Sequence, residues 1–172
     1  MSSFPVYVVK GNHDSLLGQK IVGMALKSMA THGPLWTARA ERSFSSLIIL
    51  DTVPSAAYFV TDKCCLVNPW NVAKYVSDLT TASTIVAASL VGASCQAMLL
   101  NGRFGEAGIK NQQGLGVGAQ IRFLRRFLSG QDKTDILAAM SLYREHVVRT
   151  RRKSYDAIIK REFAKMREMC ED

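Results

Sequence analysis

Residues 79–102 read LTTASTIVAASLVGASCQAMLLNG, 24 consecutive positions without a charged side chain. As a helix this stretch would be about 36 Å long, enough for a bilayer core of about 30 Å. Such a run must be buried, in protein or in lipid. Its composition is mostly Ala, Ser, Thr and Gly, with Gln96 inside it, whereas burial in lipid alone would favour more Leu and Ile. A packed central helix is therefore the first reading and a membrane span the second. Ala88, Gly92 and Gln96 recur at spacing four, a stripe that lets a neighbouring helix approach closely in either setting.

The distribution of proline divides the chain just ahead of this run. Pro5, Pro34, Pro54 and Pro69 lie in the first 69 of 172 residues, so long helices are expected only beyond them. In residues 1–69, the segment 4–9 reads as a strand. Residues 12–15 cap a helix over 16–31, stopped by Gly33 and Pro34. Three β-rich runs come next, at 35–40, 46–53 and 56–62, with a short hydrophobic edge at 64–67. The fold class expected is α+β: a small N-terminal antiparallel sheet with one helix, then a helix-dominated C-terminal part. Asn68 and Pro69 suit the cap and first position of the next helix, which opens a central apolar region over 70–102.

Six glycines between Gly102 and Gly118 read as a linker over 103–118, leading into a basic helical region over 119–172. Within it, 119–128 forms a short amphipathic helix with Ile121 and Leu124 on one side and Arg122, Arg125 and Arg126 on the other. A last helix is expected from Asp132 toward Cys170. Ile136, Met140, Tyr143 and Val147 form its first apolar stripe, and Tyr155, Ile159, Phe163, Met166 and Cys170 its second.

Charge is unevenly distributed. The chain carries a net +8; residues 1–102 hold 7 basic and 5 acidic side chains, and residues 103–172 hold 15 and 9. Arg122, Arg125 and Arg126 lie in an acid-free stretch over 107–131, and Arg149, Arg151, Arg152 and Lys153 form a second knot. Guanidinium groups present a fork of donors to phosphates and carboxylates, so these seven residues are the candidates for binding an anionic partner.

Other chemistry finds little support. Gly114-Leu115-Gly116-Val117-Gly118-Ala119 fits the dinucleotide-binding glycine pattern, but no hydrophobic strand leads into it and no acidic residue comes after it in a strand. Gly11-Asn12-His13-Asp14 resembles the Gly-Asn-His-Asp box of metallophosphoesterases. That resemblance implies a two-metal site, yet it covers four residues, and nothing before Gly11 supplies the family's earlier Asp and His ligands. It reads instead as a strand-to-helix turn with Asp14 as the cap. Cys64, Cys65, Cys95 and Cys170 have no metal-binding spacing and read as small reduced core residues. No catalytic residue, cofactor or metal site is expected.

The function expected is that of a non-catalytic structural or accessory subunit of a multiprotein assembly. Its partners would be other subunits, with anionic lipid at the arginine clusters. An acid-free stretch over 15–40 with Lys20, Lys27 and Arg39 fits a mitochondrial address, at the inner membrane or its periphery, with the cytoplasm as the other setting. The alternative is a nucleic-acid scaffold of ribosomal or capsid type, with RNA at the arginines.

Overall fold

The computed structural model describes residues 5–9, 11, 13–52, 57–60, 64–74, 76–98, 116, 118–126, 133–134, 136–141 and 156–171. In chain order the elements are β1 (Val6–Val8), α1 (Ser15–His32), α2 (Pro34–Ser43), β2 (Ser46–Ile49), β3 (Ala57–Val60), β4 (Cys64–Val67), α3 (Trp70–Ala73) and α4 (Leu79–Met98). Helical residues 118–126 (α5) and 136–141 (α6) come next, and then α7 (Asp156–Glu168).

The chain is a mixed helix-and-sheet protein, but the sheet is not the antiparallel one expected. Its order is β1-β2-β4-β3, with β1, β2 and β4 parallel and only β3 antiparallel to its neighbour. Parallel neighbours need a crossover, and α1 with α2 supplies the one between β1 and β2. The segment 35–40, expected as a strand, belongs to α2. Gly33-Pro34 closes one helix and starts another: the Gly33 N–H donates to the Met29 carbonyl at 2.8 Å, Pro34 takes the first helical position, and the Gly33 carbonyl accepts from Trp36 and Thr37. The N-terminal region therefore holds two helices rather than one. Nor is β4 an edge, since it lies between β2 and β3.

Alternation along the strands sets the core face. Leu47, Ile49, Cys65 and Val67 are buried, while Ile48 and Leu66 on the other face are half-buried. Tyr7, Ile48 and Leu66 occupy one transverse row.

The run at 79–102 is a helix through residue 98, buried on every side, with residues 81–88, 90–94 and 97 all in the interior. It packs chiefly on α1, which turns Ile21, Val22, Ala25 and Met29 inward, and also on α2, α3 and β3. By length and composition α4 is the one helix among the described residues able to cross a membrane. Hydroxyls along it are satisfied within the helix: Ser83 and Thr84 donate to the Thr80 carbonyl, Ser89 to Ile85 and Ser94 to Leu90, at 2.8–3.1 Å.

The linker reading also needs correction at its end, because residues 116 and 118 are already helical; 101–115 lie outside the described residues. Of the stripe on the last helix, Ile136 is buried and Met140 packs half-buried on the core, with Ala139 buried beside them. Tyr143 and Val147 lie outside the described residues, as does the join between α6 and α7. At the far end Met166 and Cys170 are buried and belong to the same hydrophobic cluster as α1 and α4.

Candidate anion-binding groove

Two places in the fold gather polar side chains. The first lies at the carboxyl ends of the parallel strands, where open α/β sheets commonly bind ligands. Asp14 caps α1 there: its Oδ1 accepts from the backbone N–H of Leu16 at 3.0 Å and of Leu17 at 3.4 Å. The His13 ring stacks on Trp70 with centroids 5.3 Å apart, and the Trp70 indole N–H donates to the Asp14 carbonyl at 3.1 Å. His13, Asp14 and Trp70 thus tie α1 to the start of α3, in accord with the turn-and-cap reading. Among the described residues no group of three or more His, Cys, Asp or Glu side chains is gathered as metal ligands would be.

The second place is a groove of about 610 Å³ between the α1–α2 corner and α5, with Met169, after α7, also in its lining. Its position results from helix packing. The buried Ile121, Phe123 and Leu124 fix α5 to the core. A Cβ on Gly33 would stand 3.1 Å from the Phe123 ring, so glycine at the corner allows the ring to lie against the backbone. With those residues inward, Arg122, Arg125 and Arg126 line the groove. Arg122 and Arg126 are exposed and Arg125 is half-buried.

Across from α5 stand His32, at the last turn of α1, and Trp36, on the first turn of α2. The Arg39 guanidinium lies 4.5 Å over the Trp36 ring, a cation–π pair. Arg39 and Arg122 also converge on Cys95 near the end of α4: burial pushes its thiol above the usual range, and these two cations partly oppose that shift. Charges from α2 and α5 therefore act on one point of α4.

The crossing of α4 and α5 is close. A Cβ on Gly92 would collide with the Gln120 side chain. One on Gly116 would stand 3.0 Å from Gln96 Nε2 and 3.2 Å from the Gly92 carbonyl oxygen. Gly92 and Gln96 of the expected packing stripe thus meet α5, with Ala88 fully buried above them. Gly116, from the pattern that resembled a dinucleotide loop, serves this crossing.

The first arginine cluster is brought into a built concavity, while Arg149, Arg151, Arg152 and Lys153 lie outside the described residues. Sequence reasoning missed His32, Trp36 and Arg39 as their companions. The signal present was Pro34 at a helix start, which turns Trp36 and Arg39 into residues on one helix face. No family model, curated protein or solved structure gave a significant match to the chain.

Proposed function

We propose that the protein is a non-catalytic subunit of a larger assembly whose groove between the α1–α2 corner and α5 holds an anionic partner. One observation carries the reading: Arg122, Arg125 and Arg126 line a concave groove with His32 and Trp36, rather than being spread over a solvated helix face. Guanidinium groups present paired N–H donors in a fixed fork that the oxygens of an anionic ligand accept. The net charge of +8 favours the same class of partner.

The proposal places α4 in protein rather than in lipid, supported by α1, α2, α3 and β3 covering its surface. A mitochondrial setting rests on composition alone, and the stretch that motivates it forms α1 and most of α2, whose Ile21, Val22, Ala25, Met29 and Ala40 are core residues.

Heparin, a polyanion without bases or lipid tails, tests the reading. Saturable binding at low salt is expected, weakened at least about tenfold by the pair Arg122→Glu and Arg126→Glu, since each reversal replaces an attraction with a repulsion. Equal affinity of the parent and the double variant would overturn it.

A further inference from the structure

Resting on that reading, we infer that the anionic partner is single-stranded nucleic acid, with a base stacked at Trp36 and phosphates held by Arg122, Arg125 and Arg126. Shape supports this choice. The groove's volume, about 610 Å³, falls in the range of roughly 300–1,000 Å³ of sites that enclose a compact ligand group. A membrane surface presents headgroups on a broad plane and does not enter a concavity of this size. A duplex keeps its bases stacked and paired inside and has none to offer the tryptophan, whereas a single strand can splay one out.

The lining chemistry narrows the choice further. Arg125 and Arg126, adjacent in the chain, point in different directions from the helix axis, while Arg122 stands three and four residues before them, so its stem lies about 5–6 Å from each of theirs. That separation is comparable to the distance between successive phosphates along a strand. Phe123 is buried against Gly33 and forms the floor. Trp36 is half-buried, and the Arg39 guanidinium over its ring makes a flat platform backed by positive charge. Every base has a π-face that such a platform accepts, independent of sequence. An acidic peptide would satisfy the arginines but make no use of the tryptophan.

The test is fluorescence anisotropy of the full chain with a labelled ten-nucleotide oligo(U) strand at several salt concentrations. Duplex RNA, phosphatidylserine-containing vesicles, polyglutamate and heparin serve as competitors. The strand is expected to bind with log affinity falling against log salt by about 0.7 per phosphate contacted. Arg122→Gln is expected to lower that slope by about 0.7. Trp36→Ala is expected to weaken binding at least about fivefold while leaving the slope unchanged. Because Trp36 also packs on the core, Trp36→Phe is measured beside it, with thermal melts of both; the phenyl ring is expected to retain most of the affinity. Arginine-dependent binding of heparin with none of oligo(U), or oligo(U) binding indifferent to Trp36→Ala, would overturn the inference and leave the proposed function standing. Arginine-dependent binding of vesicles or polyglutamate in place of the strand would do the same. Absence of arginine-dependent binding to every probe would overturn both.

Discussion

Asp78 controls how α4 begins. Its Oδ2 accepts from both the backbone N–H and the hydroxyl of Thr81, each at 2.8 Å. The Thr81 hydroxyl, then the Thr81 N–H and more weakly that of Thr80, holds the carboxyl below its ordinary value against a small opposing effect of burial. A carboxyl whose folded value is depressed contributes its stability above the unfolded value, about 3.9, and loses it as pH falls through the lower folded one. As the cap of α4, Asp78 is expected to be worth about 1 kcal/mol near neutral pH, lost in Asp78→Ala. Asp78→Asn keeps an acceptor but does not titrate, so the difference between parent and Asn variant should shrink from pH 6 to pH 2. Denaturant unfolding across that range checks it. Two curves that stay parallel would show that this carboxylate is not linked to folding. Asp14, by contrast, was legible as a cap from sequence, because Asp before an amphipathic run satisfies free N–H groups by local geometry alone.

Among elements, the α4–α5 crossing determines whether the groove exists. Gln120 lies where a Gly92 side chain would go, and even its Cγ, close to the α5 backbone, would stand 2.6 Å from an added methyl group, so the whole side chain must move. Gly92→Ala is thus expected to destabilise, though less than a larger side chain would. Gly92→Leu adds a branched side chain at the same place and is expected to cost at least about 2 kcal/mol by overpacking, with heparin binding lost together with α5 docking. Gly116→Ala is expected to be the mildest of the three, since its nearest contacts, Gln96 Nε2 at 3.0 Å and the Gly92 oxygen at 3.2 Å, need give by only a few tenths of an ångström. Denaturation midpoints of the three variants give the order directly. A harmless Gly92→Leu would mean that the helices are not in close contact there. The small-residue stripe of α4 was readable because spacing four is a local property of the helix. Its partners Gly116 and Gln120 were not, since which helix crosses a stripe is decided by tertiary packing. Residues 35–40 failed for a different reason: their β-like alternation was outweighed by Pro34, whose fixed φ and missing N–H suit a first turn.

Taken whole, the molecule is built around α4, and its stability should be distributed accordingly. Amides enclosed by α1, α2 and the sheet exchange with solvent only when the whole fold opens, whereas short edge elements open locally. Hydrogen exchange is expected to be slowest in peptides from 81–97 and from the facing side of α1, and faster in β1, where Tyr7 is 57% exposed. Rapid exchange in α4 would contradict a protein-packed core. Hydrophobic periodicity made α1, the approximate positions of the strands and the burial of 79–98 readable, since each depends on neighbours close in sequence. Strand direction and the groove depend on contacts between distant segments. His32 and Trp36 share a groove with Arg122 where Phe123 seats against Gly33, and no local pattern announces that contact.

The packing of α4 on α1 also determines the order in which the chain becomes safe during synthesis. At about 5–20 residues per second, a ribosome releases α1 several seconds before the last turn of α4. Throughout that interval Ile21, Val22, Ala25 and Met29 lack the surface that will cover them. Strand β1 likewise waits for a partner that lies beyond two helices. Until α4 has left the tunnel the inward face of α1 stays open to water, and a stall before residue 98 leaves a fragment with that apolar face bare.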